Sequence, residues 1–531
     1  MYVLTGGKLV SRSQDEIAFL NATIRRLDYD IRQLQMIRAR HVRRLNELSA
    51  TTACLPREVL TTIFEHALDR NPNNLHGCLL PLTLGAVCSD WRNIVWATPS
   101  LWTCLTVSKT HCHPDMIQLY FQNAQNIPLS LSWHKIYTKE PYDDLQRILR
   151  HKPESLSALH CSLVWEFMDD TWSRIYDILS IGLPNLRILE FGEEQSRDED
   201  TKDGILPLPS LVRLVWHGPE LPWTFPLENI TTLYLTWVYS DLGLRALLEC
   251  PKLEEFHNIL PVERDPSDTR VAQFFHRGDI LLPHMSSITW TYDNTLGTKF
   301  LLKHVKVPSL KKLHFEGVGP VPFAEEANIA FLRQHFLASL PHLVEYECDV
   351  DILLLPTTGE SPRGVESAIR SSEPHLPNTI QKLQVNIPRP DDIEYPVTVL
   401  RQIFDNLKLT RENPKASFVL PMLKELVVGP IGQWSWLGMS SWNPSITLGN
   451  AYPAFLEMVE SRREGSSAKW PGACTQLQNL LFDKVGDDWS VNSGPEEDAD
   501  EFQMGLRKLI RGGLRVEVRT DDDRVMSWEG E

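Results

Sequence analysis

One short phrase recurs along most of this chain and limits what it can fold into. It is a proline followed by L-x-x-L-x-φ, where φ is apolar. The phrase reads Pro184, Leu186, Leu189, Phe191, and again Pro209, Leu211, Leu214, Trp216. It continues as Pro251, Leu253, Phe256, then Pro283, Met285, Ile288, Trp290, then Pro308, Leu310, Leu313, Phe315, and Pro341, Leu343, Tyr346, Cys348. Weaker copies stand at Ile230, Leu233, Leu235, at Ile380, Leu383, Val385, at Leu423, Leu426, Val428 and at Leu477, Leu480, Phe482, and Leu156, Leu159, Cys161 can open the series. A period-two apolar run of this length is a short strand. No single copy can bury its own apolar face, so the copies must stack on one another.

The early copies lie about 19–32 residues apart, near the 20–29 of a leucine-rich repeat, and the later ones are stretched by insertions. Helix-like text precedes several copies, as in Asp241–Cys250 and Phe331–Leu340. Helix, proline, strand is the unit of a horseshoe. The leucines then form the core, and alternate strand residues point to the other face of the sheet. Those are Glu190, His217, Tyr234, His257, His314, Glu316, Glu345, Glu347 and Lys382, the expected surface for gripping a protein substrate.

Residues 14–48 carry a second periodicity. Ile17, Leu20, Ile24, Leu27, Ile31 and Leu34 alternate spacings of three and four, Arg38 and His41 fall on the same seam, and Leu45 and Leu48 close it. Such a seam packs either on the chain's own next domain or on the same helix of a second copy, as a homodimer. The basic stretch Arg38–Arg44 is read as the solvated face of this helix.

Between these lies a third pattern. Leu55-Pro-Arg-Glu-Val-Leu60 opens a helix whose apolar stripe is Leu60, Ile63, Phe64 and Ala67. A turn cluster follows at Asn71–Asn74, then a helix from about Leu82 to Ala97 with Leu84, Val87, Cys88, Trp91, Ile94 and Val95 on its apolar side. The ordered motifs L-P-x-E-V-L-x-x-I-F (55–64), V-C-x-x-W-R (87–92) and P-x-L-W (99–102) resemble the F-box family. The layout of heptad helix, box and degenerate repeats is similar to F-box proteins of mushroom-forming fungi. The resemblance implies an adaptor that docks on the Skp-type linker of a cullin–RING ubiquitin ligase while the repeats hold a substrate. By motif position, Leu55, Pro56, Val59, Leu60, Ile63 and Phe64 would meet the linker, with Val87, Cys88 and Trp91 shared between the box core and the linker. Two features depart from the family: a long turn over 70–81, and repeats without the usual terminal Asn. The alternative is a repeat scaffold with no ubiquitin role. The expected fold is α/β: a heptad helix (1–50), a small all-helical box (51–107), a leucine-rich-repeat horseshoe solenoid with irregular repeats (108–515) and a flexible tail (516–531).

Composition narrows the function further. A net charge of −16 opposes general nucleic-acid binding. The 9 cysteines are scattered without a CxxC, which suits reduced thiols and hence cytoplasm or nucleus. No secretory h-region opens the sequence, and no run of about 18 apolar residues predicts a membrane span. The nucleotide, zinc-protease and hydrolase signatures are missing, so neither an enzyme nor a cofactor is expected. His111, Cys112 and His113 near Cys104 fit no usual zinc spacing. Trp434, Trp436 and Trp442 suggest an aromatic loop, but without neighbouring Lys or Arg they make no stacking platform for single strands.

Overall fold

A computed structural model describes residues 6–49, 55–68, 79–108, 114–134, 140–162, 171–192, 206–218, 225–262, 279–292, 296–317, 323–349, 376–387, 401, 404–405, 407–408, 420–430, 452–464, 475–485, 504–505, 507–520 and 525–527. The 70–78 part of the long turn, the His111–His113 segment, the three tryptophans at 434–442 and the acidic stretches at 193–200 and 495–501 lie outside these residues. The chain divides into two units, Met1–Ser132 and Trp133–Glu531.

The first unit opens with α1 (Gly6–Ser49), followed by α2 (Arg57–Ala67), α3 (Leu80–Val87) and α4 (Ser89–Trp96). A 3-10 turn at Pro99–Trp102 leads into β1 (Cys104–Ser108), all of whose residues are buried. Then come α5 (Pro114–Asn123) and β2 (Leu129–His134), in which the unit boundary falls. The segment 51–107 is therefore not all-helical as expected, because its last turn runs straight into a strand. The single helix expected from Leu82 to Ala97 is also two helices. Cys88 sits between them in extended backbone (φ −155°, ψ 172°), and its Sγ caps α4 by accepting from Trp91 N at 3.4 Å.

In the second unit the L-x-x-L-x-φ phrases become strands, and one further parallel strand follows the last phrase. They are β3 (Leu156–Ser162), β4 (Ile188–Gly192), β5 (Arg213–His217), β6 (Thr232–Thr236), β7 (Glu255–Ile259), β9 (Ser287–Tyr292), β11 (Lys312–Gly317), β12 (Glu345–Asp349), β13 (Lys382–Ile387), β14 (Glu425–Pro430), β15 (Asn479–Val485) and β16 (Arg515–Thr520). Each pairs in parallel with the next, in chain order. A two-residue pair, β8 (Ile280–Leu281) with β10 (Val305–Lys306), stands apart. The tail expected to be flexible instead supplies most of β16 and all of β17 (Val525–Ser527), which pairs antiparallel with it. Between strands stand α6 (Glu140–His151), α7 (Thr171–Leu179), α8 (Ser240–Glu249), α9 (Leu296–His304), α10 (Phe323–Ala338) and α11 (Tyr452–Glu464).

The proline of the phrase has a local reason. In Leu183-Pro-Asn-Leu186 the amide of Leu186 donates back to Leu183 O at 3.2 Å, and the same turn recurs at Leu208–Leu211, Cys250–Leu253, Val307–Leu310, Leu340–Leu343 and Leu420–Leu423. Proline at the second turn position fixes the φ the turn requires and gives up an N–H that no partner needs. The turn drops a leucine into the core, and the strand follows. One core row runs through Leu189, Leu214, Leu233, Phe256, Ile288, Leu313, Tyr346, Leu383, Leu426 and Leu480, all buried. The row beside it holds Phe191, Trp216, Leu235, Trp290 and Phe315, with one polar member, the fully buried Asn258.

The horseshoe solenoid is corrected by these pairings. The strands form one open, mainly parallel sheet that neither closes nor curls, an α/β arrangement. Curvature of a repeat array comes from a small, regular rotation per copy. Regular rotation needs a similar element behind each strand, and here the connectors differ. The described residues before β6 hold a 3-10 turn at Leu227–Asn229, whereas α10 before β12 has 16 residues.

Candidate functional site

The motif residues at 55–102 separate into an inner and an outer set. Leu60 and Phe64 are core, 6% and 2% exposed, and the Phe64 ring packs at 4.7 Å from that of Trp91. Both side chains are turned into the helical core of this unit. Trp91 is half-buried against Phe64, and Cys88 is the cap described above. Arg92 Nε donates to Gly85 O at 2.8 Å and so ties α4 to α3. Trp102 Nε1 donates to Val95 O at 2.9 Å, and the ring meets Trp96 and Tyr120 edge-on. Ser100 Oγ donates to Glu65 Oε1. The V-C-x-x-W-R and P-x-L-W motifs thus hold the helices at fixed angles.

The outer set is aliphatic. Leu55, Val59, Ile63 and Val87 are 37%, 43%, 47% and 56% exposed, and Pro56 is exposed beside them. Val59 and Ile63, four residues apart, share one face of α2. Trp96, which the motif reading did not single out, is also open to solvent at the end of α4.

The second surface is the sheet face opposite the core. Register places His160, Glu190, Val215, Tyr234, His257, Thr289, His314, Glu347 and Gln384 in one row across successive strands. Of the expected residues, Glu190, Tyr234, His257, His314 and Glu347 meet here. His217 lies one position along, level with Thr236, and Glu316 is level with Thr291, its side chain outside the described residues. Glu345 and Lys382 belong to the flanking row at the strand starts, with Lys312 and Glu425.

Most polar groups on this face are already paired with one another. His160 Nδ1 lies 2.9 Å from Glu190 Oε2, and this bond holds the Glu190 carboxyl below its usual range despite partial burial. The Tyr234 and His257 rings stack at 3.9 Å, with the Arg213 guanidinium 5.0 Å above the tyrosine. Glu347 Oε1 accepts from Gln384 Nε2 at 2.6 Å and from Asn386 Nδ2 at 3.2 Å, and stands 3.5 Å from His314 Nε2. Ion pairs join Lys312 to Glu345 at 3.0 Å and Lys382 to Glu425 at 2.9 Å. Burial pushes the His217 and His314 imidazoles below their ordinary pKa. Burial, helped by the nearby His314 and Arg213, takes His257 down to about 4. At neutral pH these three imidazoles are uncharged, so the charge on this face is carried by its carboxylates and by Arg213, Lys312 and Lys382.

Alternation along strands already assigned would have found His160, Arg213, Gln384 and Lys312. It also puts Val215, Val427 and Leu481 on this face, but does not show that their side chains are buried there. Burial raises the thiol pKa of Cys161 and Cys250, which fits small core residues and not nucleophiles. Among the described residues no group of His, Cys, Asp or Glu could hold a metal ion, and no helix is long and apolar enough to cross a membrane. In comparison with known proteins, no family model and no curated protein matches the chain, so the assignment rests on these two surfaces alone.

Proposed function

We propose that the chain is an adaptor: the helices at 55–96 dock on a Skp-type linker, and through it a cullin–RING ubiquitin ligase, while the sheet face receives a protein substrate. The observation that carries the reading is the outward aliphatic set Leu55, Val59, Ile63 and Val87 on helices whose inner side is tied by Phe64, Trp91 and Arg92. The fully buried core of an interface is more apolar than its rim, and each such aliphatic side chain contributes about 1.5–3 kcal/mol when fully buried. The sheet face supports the second half of the reading, since its polar groups are held in place before any partner arrives.

The test is calorimetry of the full chain against the host's Skp-type linker. Val59→Glu with Ile63→Glu is expected to weaken binding by about 100-fold or more while the fold is kept, because both side chains already face water. Absence of binding by the folded, unsubstituted chain would overturn the docking role and leave a protein-interaction scaffold without a ubiquitin role.

A further inference from the structure

Among the described residues, α1 carries a long apolar seam that faces water. It runs 44 residues, about 66 Å at the usual rise. Every described side chain from Glu16 to Leu45 is exposed except Gln33, which is half-buried. The seam residues range from 50% exposed at Ile31 to 65% at Leu34. A helix in water draws most of its stability from burying its apolar face, and no described residue of its own unit covers that face.

We infer that α1 pairs with α1 of a second copy of this chain in a parallel, in-register, two-stranded coiled coil. The heptad assignment is Ile17, Ile24, Ile31, Arg38 and Leu45 at a, and Leu20, Leu27, Leu34, His41 and Leu48 at d. β-branched residues at a with leucine at d favour two parallel strands. In register, each aliphatic layer meets its own copy, and the polar mismatch is confined to two adjacent layers, Arg38 on Arg38 and His41 on His41. The arginine stems can run along the seam with their heads in water.

The flanking positions agree. In parallel pairing Glu16 faces Asn21, Thr23 faces Asp28 and Asp30 faces Gln35 of the other copy, with no like charges opposed. Ile37 faces Val42, so two exposed apolar side chains close over the Arg38 and His41 layers from each side. An antiparallel pair centred on the seam would set Arg38 against Leu27, His41 against Ile24 and Ile37 against Asp30, wasting four aliphatic layers. Packing on the described residues of the same chain would not leave the seam so exposed. The pairing does not depend on the docking role. With it, two copies of α2 emerge from the same end of the coil, so the two boxes would engage bivalently.

Sedimentation equilibrium of the full chain reads the proposal. The expected mass is near double the 60.9 kDa chain, with concentration-dependent dissociation. Ile24→Glu with Leu27→Glu should raise the dissociation constant about 100-fold or more, and Met36→Glu, off the seam at position f, should leave it unchanged. Arg38→Ile with His41→Leu should tighten the dimer about tenfold or more. Leu20→Cys under mild oxidation should give a covalent dimer that the unsubstituted chain does not form, since only parallel pairing places Leu20 beside its mate. A monomer throughout the micromolar range, a trimer, or a dimer indifferent to Ile24→Glu with Leu27→Glu would each overturn the proposal. A dimer without the Leu20→Cys crosslink would overturn its parallel orientation.

Discussion

On α2 and α3 the aliphatic side chains Val59, Ile63 and Val87 are left in water among polar neighbours, while Cys88 Sγ and Arg92 Nε serve the same segment as cap and tie. Along β3–β13 the arrangement is largely reversed: most aliphatic side chains are in the core, Val215 excepted, and polar ones stand on the open face, several paired to one another. The two surfaces are suited to different tasks. An aliphatic surface on fixed helices gives affinity through burial, with little demand on geometry. A pre-paired polar surface adds little net energy but rejects partners that cannot replace its hydrogen bonds.

The contrast is most easily broken inside the helical segment, by comparing neighbours on α2. Phe64→Ala empties a site packed against Trp91 and should cost about 3–5 kcal/mol. Ile63→Ala, on the outer side, should stay within about 0.5 kcal/mol. Hydrogen exchange over residues 57–96, read by mass spectrometry, isolates this segment from the sheet. If Ile63→Ala loosened it as much as Phe64→Ala, the outer aliphatic set would be packed within the chain, and the distinction between inner and outer residues would fail.

Acid should sharpen the contrast from the sheet side. His257, with its folded pKa near 4, and His217 and His314, shifted the same way, bind protons more weakly folded than unfolded. Their neutral forms therefore support the fold above the ordinary histidine pKa, and that support is lost as pH falls from about 6.5 through the folded values. Glu190 acts in the same sense lower down: its folded pKa is depressed by the bond to His160, so its contribution is present above the usual carboxylate range and is lost as pH falls through the folded value. Thermal midpoints should decline steadily below pH 6.5. His257→Phe, which keeps a ring on Tyr234, should flatten the part between about 6.5 and 4. An unchanged slope in that variant would show that His257 is not desolvated by this face.

Much of this was legible in the sequence, for physical reasons that also mark where legibility ended. The phrase around Leu186, Leu189 and Phe191 fixes strand position and parity, because proline sets the turn and period two sets the faces. It is silent on curvature, which depends on connectors that differ from copy to copy, so the horseshoe was expected where an open sheet forms. The break at Cys88 was hidden because apolar positions continue across it, and a thiol is a weak acceptor that gives no strong capping signal. Leu60 and Phe64 could not be told from Val59 and Ile63 by motif position, since all four are apolar within two helical turns and only burial in the folded unit separates them. Asn258 occupies a slot where the phrase calls for an apolar residue.

The smallest expected effect tests whether the charged flank of the sheet is structure or surface. Lys382 Nζ stands 2.9 Å from Glu425 Oε1, and the two side chains are 36% and 29% exposed. A pair so open to water pays side-chain entropy and is screened by salt, so Lys382→Ala should cost less than about 1 kcal/mol. Most of that cost should vanish in high salt, where the Debye length shrinks to roughly 3 Å at 1 M. Urea unfolding at low and high ionic strength reads both. The same salt step should leave docking through Val59 and Ile63 nearly unchanged, because burial of aliphatic surface carries no charge to screen. A salt-insensitive loss of several kcal/mol on removing Lys382 would instead make the Lys–Glu row part of what holds the strands together. The face would then be a structural seam, and the division between a greasy docking surface and a pre-paired polar one would have to be withdrawn.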